Sequence, residues 1–253
     1  MAIEFKKAQR SKSKARIALA GVSGVGKTLT ALFIASSLGN KIAVIDTEHG
    51  SASKYEGEPG VPSFDVLELE SFSPKRYIEG IQSAEEAGYD VLIIDSLSHA
   101  WMGKDGLLQQ VDNVVARGKS GFSEGWRKAS PLHNELVDAI IQSKLHVIST
   151  MRMKSQYVID KNEQGKQVPV KIGMEMQQRE GAEFDYDIVG EMDLDHRLVI
   201  TKSRFSGLAD RVIMKPDASL GRSIYEWLNK GIDAPEKPEV STNLPHEGVV
   251  AAG

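Results

Sequence analysis

Apolar residues in this chain fall into short runs separated by glycine, proline and charged segments. Arg16-Ile-Ala-Leu-Ala20, Lys41-Ile-Ala-Val-Ile-Asp46, Phe64–Glu68, Tyr89-Asp-Val-Leu-Ile-Ile-Asp95 and His146-Val-Ile-Ser-Thr150 have strand length. Most are continuously apolar, as strands covered on both faces are. Lys27–Leu38 has helical composition and ends at Gly39-Asn40. Ser73-Pro74 pairs a cap with a proline at the first helical position, and that helix is predicted to reach Ala87 before Gly88. Ser130-Pro131 repeats the signal and predicts a helix start ahead of Leu132, Leu136, Ile140 and Ile141. Alternating strands and helices predict an α/β fold with a mostly parallel central sheet and flanking helices.

After Thr150 the pattern changes. Tyr157-Val-Ile159 and Val168–Ile172 flank Asn162-Glu-Gln-Gly165, which predicts a hairpin. Asp187–Glu191 and Leu198–Lys202 add strands, so the C-terminal half is strand-rich. The expected organisation is a basic N-terminal arm over 1–14, one domain over 15–232, and a tail over 233–253. That tail holds Pro235, Pro238 and Pro245 and no periodicity, and is expected to be disordered.

Composition narrows the classes. The 253 residues suit one substantial domain. No cysteine is present, which excludes disulfides, thiolate metal sites and cysteine nucleophiles. The net charge of -4 gives no global attraction to nucleic acid, so a DNA contact needs a local basic patch. No apolar run approaches membrane-spanning length and the N-terminus shows no signal-peptide core, so no membrane contact and a cytoplasmic location are expected.

The chemistry is concentrated in Gly21-Val22-Ser23-Gly24-Val25-Gly26-Lys27-Thr28, followed by Leu29. This matches G-x-x-x-x-G-K-[ST] at every fixed position, after a strand and opening a helix. Backbone N–H groups in such a loop face phosphate oxygens, aided by the helix dipole. Lys27 is expected to reach the β and γ phosphates and Thr28 to hold Mg²⁺. Asp95, ending an apolar strand, is the second expected magnesium-side group. Hydrolysis also needs a group that orients water. Ser96 follows Asp95, so the carboxylate is sought elsewhere, and Glu48 at the end of the second strand is the candidate. Its alternative is a surface loop residue. His49 and His99 read as polar loop residues.

Val44-Ile-Asp-Thr-Glu-His49 resembles the RecA recombinase segment that carries the catalytic glutamate, and Tyr55 falls where that family stacks a tyrosine on adenine. Asp90–Ser96 is similar to its magnesium-side strand, Met151-Arg-Met-Lys154 to the run after the next strand, and Lys202-Ser-Arg204 to paired cations that reach a neighbouring subunit's ATP. The resemblance spans roughly 16–210 in the family's order. Thr150 stands where RecA has a γ-phosphate-sensing glutamine, and there is no room for RecA's large terminal regions. Together with Gln177–Phe184, this makes the chain most similar to the reduced RecA-like ATPases of bacteriophages. That resemblance implies ATP and Mg²⁺ as ligands, a ring or filament of identical subunits, single-stranded DNA as partner in annealing or recombination, and contact with a single-strand-binding protein. For a phage protein the cytoplasm is that of the bacterial host.

Two stretches are candidate DNA surfaces. Residues 96–130 interleave Lys104, Arg117, Lys119, Arg127 and Lys128 with Trp101, Phe122 and Trp126. That composition suits base stacking along a strand, or a local helical subdomain with a solvated face. The hairpin region offers Lys161, Lys166, Lys171 and Arg179, or an ordinary charged edge. Two further classes stay open: an ATPase switch acting on a protein partner, and a P-loop small-molecule kinase. The kinase class calls for an arginine-rich lid that the sequence does not display.

Overall fold

Strand β1 (Arg16–Gly21) is buried at every position because it lies inside a sheet covered on both faces. The computed structural model describes residues 5, 7–116, 121–161 and 167–233, and only the backbone of 157–161 and 168–172. Among these, the strands are β1, β2 (Ile42–Asp46), β3 (Asp65–Glu68), β4 (Val91–Asp95), β5 (His146–Lys161), β6 (Gln167–Met176), β7 (Ile188–Met192), β8 (Arg197–Ser203) and β9 (Val212–Met214). The helices are α1 (Lys27–Ala35), α2 (Pro74–Glu86), α3 (Ser98–Met102), α4 (Leu107–Ala116), α5 (Phe122–Gln142) and α6 (Ala218–Leu228). Spatial order is β3-β2-β4-β5-β1-β7-β8-β9, with β6 attached to β5. Every pair from β3 to β7 is parallel, and β8 and β9 add antiparallel. The expected α/β core, mostly parallel with a strand-rich C-terminal half, is the fold observed.

Period two divides the strands between two cores. Ile17, Leu19, Val91, Ile93 and Ile148 meet Leu32 and Ile34 of α1 and Ile224 and Leu228 of α6. Ala18, Ala20, Leu92, Ile94 and Val147 meet Tyr77 and Ile81 of α2 and Leu136 and Ile140 of α5. Each fully buried large apolar side chain stabilises the fold by about 1.5–3 kcal/mol before entropy is counted. Buried Arg16 closes one end of this layer. Its guanidinium donates to the carbonyls of Ile141 (2.9 Å), Leu145 (2.8 Å) and Ser143, a cation at the C-terminal end of α5.

Several elements differ from the sequence expectation. Helix α5 begins at Phe122 and passes through Pro131. Trp126 and Ala129 pack with Trp101, Leu107 and Val111, and this tertiary contact carries the helix past the proline. Strand β5 does not stop at Thr150. It runs on to Lys161 and pairs with β6 as a two-stranded arm, with a register shift between Gln156 and Tyr157. The predicted turn, Asn162–Gly165, lies outside the described residues. Strand β9 and helix α6 were not anticipated, and α6 is capped by Asp217, which accepts from the Ser219 N–H. Ser11 pairs with Ile232, and the Lys12 N–H donates to the Ile232 carbonyl at 2.8 Å, so the chain before β1 lies beside the segment that follows α6. Among the described residues no helix is long and apolar enough to cross a membrane.

Candidate active site

The C-terminal ends of β1, β2 and β4, and the point where β5 parts from β1, converge on one cleft, the edge of a parallel sheet where ligands settle. Its volume is about 820 Å³. Its wall includes Ser23 to Leu29, Glu48, Tyr55, Asp95 and Arg152. Gly21 and Val22 are not part of that wall.

The loop after β1 turns because glycine permits it. Gly24 and Gly26 have φ of 83° and 92°, where a side chain is strained. Gly26 caps α1, whose first residues are Lys27 and Thr28. The Lys27 ammonium donates to the Val22 carbonyl at 2.8 Å. Burial pushes Lys27 below the usual lysine range, against the pull of Asp95 and Glu48.

Asp95 is buried at the end of β4. Thr28 Oγ1 donates to its Oδ2 at 2.6 Å, and Thr150 Oγ1 donates to Oδ1. Burial pushes the carboxyl up, opposed by those two hydroxyls. Thr150, in the part of β5 that pairs with β1, is thus committed to Asp95. The pair Thr28 and Asp95 presents hard oxygens side by side, a donor set that fits a magnesium ion completing its shell with phosphate oxygens and water.

Glu48 is set by its neighbours in sequence. Buried Asp46 accepts N–H bonds from Glu48 (2.6 Å) and Ala52 (3.1 Å), folding the 46–52 loop back on itself. The Glu48 carboxylate meets Arg152 in a fork, Nε to Oε1 at 2.9 Å and Nη2 to Oε2 at 2.6 Å. Burial pushes Glu48 up, but Arg152, His99 and Lys27 together hold it below the usual carboxylate range. Thr47 ties the ends of β2 and β4, its N–H donating to the Asp95 carbonyl at 2.8 Å and its hydroxyl accepting from the Ser96 N–H at 2.8 Å. His99 belongs to α3, not to a loop. It sits 2.7 Å from Thr47 Oγ1 and stacks on Phe72. Tyr55 ends a short 3-10 turn and packs against the apolar core beside the cleft.

Asp46, Thr47, Arg152, His196 and Lys215 escaped sequence reasoning as site residues. Arg152 follows the run His146–Thr150, but its partner lies 104 residues away. His196 Nδ1 reaches the Val25 carbonyl at 3.1 Å from the β7–β8 turn, a contact with no local signal.

Among the described residues, the remaining candidates do not line this cleft. Lys202 donates to the carbonyls of Glu183 and Phe184, both at 2.8 Å, and Arg204 pairs with Asp187 at 2.7 Å. Strand β8 ends at Ser203, so Arg204 stands just past it rather than beside Lys202 on a strand face. Arg127 and Lys128 both pair with Glu124, at 2.7 and 3.6 Å. Trp126 contacts both Trp101 and Phe122, and Trp101 and Trp126 pack on the small core of α4 and α5. Lys104 is exposed. Arg179 lines a second groove of about 590 Å³ with Lys154, Gln178 and Lys202. Lys161 and Lys171 belong to the arm by backbone alone, while Arg117, Lys119 and Lys166 lie outside the described residues.

A parallel sheet whose first strand feeds a G-x-x-x-x-G-K-T loop, with a buried aspartate against that loop's threonine, defines a P-loop nucleotide-binding protein. Residues 13–214 match the family described as AAA domain, and the chain belongs to that family. It is therefore an AAA-type P-loop ATPase, a class that binds ATP, hydrolyses it and ordinarily works with a divalent metal. A search of curated proteins returned no match.

Proposed function

We propose that this chain is a RecA-like ATPase of the bacteriophage type, which couples ATP hydrolysis to binding of single-stranded DNA during annealing or recombination. The observation that carries the reading is the meeting of Lys27 and Thr28 of α1, Asp95 of β4 and Glu48 of the loop after β2 in one cleft. Lys27 and the loop amides hold the phosphates, Tyr55 stacks on the base, and Thr28 with Asp95 holds Mg²⁺. The metal, when bound, neutralises charge on the phosphates and favours the ionised Asp95 that burial disfavours. Glu48 orients the attacking water and accepts its proton. Half-burial inside the cleft limits competing solvent around that carboxylate.

For the DNA part, support comes from the β5–β6 arm, which leaves the sheet at the cleft and carries Lys154, Lys161 and Lys171 in its sequence. Arg179 stands near its base. One observation favours a second reading, an ATPase switch acting on a protein: Arg127 and Lys128 share the carboxylate of Glu124, which offsets one of their two positive charges.

ATP hydrolysis with and without single-stranded DNA separates the two. Glu48→Gln should lower turnover on the order of 10²-fold or more while ATP still binds. Lys27→Ala should weaken ATP binding itself. DNA stimulation lost in both variants supports the recombination reading. Turnover indifferent to DNA, with no DNA bound in ATP, moves the assignment to the protein switch.

A further inference from the structure

One lip of the nucleotide cleft is the tight turn between β7 and β8, where His196 stands. Asp193 closes that turn. Its carbonyl accepts the His196 N–H at 3.0 Å, and its carboxylate accepts the N–H groups of Asp195 and Arg197, both at 3.0 Å, and the Arg197 Nε–H at 2.7 Å. His196 has φ of 59°, a left-handed backbone that histidine, asparagine and aspartate adopt more readily than other residues with side chains. From the other side, the Lys215 N–H donates to the His196 carbonyl at 3.0 Å. The imidazole is thereby aimed at the phosphate loop. Its Nδ1 lies 3.1 Å from the Val25 carbonyl, and a Cβ on Gly26 would stand 3.6 Å from Nδ1 and 3.7 Å from Met192 Cε. A carbonyl oxygen only accepts, so Nδ1 carries a proton in this contact.

That carbonyl belongs to the peptide joining Val25 to Gly26. The peptide is trans, so its C=O and its N–H point in opposite directions. With the oxygen turned to His196, the Gly26 N–H is turned away from it, and that N–H donates to no backbone carbonyl among the described residues. The Val25 side chain is fully buried in the core beneath the loop, which fixes one end of the peptide. Gly26 fixes nothing at the other end: its φ is 92°, and glycine takes either sign of φ about equally readily. A peptide that turned over here would present an oxygen where the loop needs a donor, and an acceptor facing phosphate is repulsive.

We propose that His196 is a positioning residue for the phosphate loop: its Nδ1–H holds the Val25 carbonyl outward, keeps the Gly26 N–H turned to the phosphates, and so raises the loop's affinity for a polyphosphate. This rests on the reading of Gly21–Thr28 as the phosphate loop. The bond also polarises the peptide, which strengthens its N–H as a donor. The control comes from a turn 171 positions further along the chain.

The test compares wild type, His196→Gly, His196→Asn and Lys27→Ala in the full chain. Glycine removes the donor and suits the left-handed backbone, while asparagine suits that backbone and supplies an Nδ2–H donor in place of Nδ1–H. His196 is exposed, so neither change should disturb the core, which a thermal melt checks. Equilibrium binding is read with ATP and with inorganic tripolyphosphate, which has the phosphates and no base, both in magnesium. His196→Gly should bind both probes about threefold to tenfold more weakly, the range of one hydrogen bond. KM for ATP should rise by a similar factor, while kcat at saturating ATP changes less. His196→Asn should recover most of the loss. Unchanged affinity in His196→Gly would overturn the proposal. A loss confined to ATP would also overturn it, and would place His196 against the base or ribose. Asparagine as weak as glycine would overturn the donor role. Wild-type tripolyphosphate binding in Lys27→Ala would instead remove the phosphate-loop assignment, an outcome distinct from weakened Lys27→Ala beside an unchanged His196→Gly.

Discussion

At the residue scale, the polar groups held by hydrogen bonds divide into those that serve the cleft and those that serve the fold. Asp95, Thr150 and Thr28 form one cluster, and Glu48 and Arg152 another. His146 belongs to the fold. It sits buried at the start of β5, where Nδ1 accepts the Ala15 N–H at 3.0 Å. Burial, then the charges of Lys14 and Arg16, push its imidazole from the ordinary 6.5 down to about 3, against the pull of Asp90. The folded protein thus keeps His146 neutral where the unfolded chain would protonate it. Its contribution is full above pH 6.5 and is lost as pH falls from there toward 3, at up to about 1.4 kcal/mol per pH unit. Urea midpoints should drop between pH 7 and pH 5 in wild type, and less in His146→Gln, which retains an acceptor for Ala15. Equal slopes in the two proteins would remove His146 as the cause.

At the element scale, α5 is the instructive case. Its sequence offers a cap and a proline at 130–131, yet the helix starts at Phe122. An interior proline loses one backbone hydrogen bond and crowds the preceding turn. The aromatic contacts of Trp126 with Trp101 and Phe122 offset that loss. Pro131→Ala should therefore stabilise the protein, by about 1 kcal/mol and at most the ~3 kcal/mol separating the two residues in helix interiors. Chemical denaturation checks this. A lower midpoint would mean that Pro131 is itself needed to seat the aromatic cluster.

At the scale of the whole molecule, Lys202 and Arg204 lie away from the chain's own cleft and are engaged by Glu183, Phe184 and Asp187. If they serve a neighbouring subunit's nucleotide, as the RecA resemblance implies, turnover per subunit should fall steeply on dilution. Lys202→Ala with Arg204→Ala should then lower turnover while ATP binding to the isolated subunit is kept. Turnover per subunit that stays constant down to the monomer would leave the pair as a structural brace of the β7–β8 edge.

Much of this was readable along the chain because the signals are local. The apolar runs at 16–20, 41–46 and 91–95 announce buried strands, and the β1 loop motif is contiguous from Gly21 to Thr28. Asp95 could be nominated because it ends such a run, and Glu48 because it follows one by two residues. What the linear order could not decide was pairing across distance. The continuation of β5 past Thr150 depends on β6, and the passage of α5 through Pro131 depends on α3 and α4. The grip of Arg152 on Glu48 joins residues 104 positions apart. Spacing and composition determine which short segments form and what chemistry they carry. Only the packed sheet brings β1, β2, β4 and β5 to one edge, because hydrogen-bonded register and burial on two faces are properties of neighbours in space.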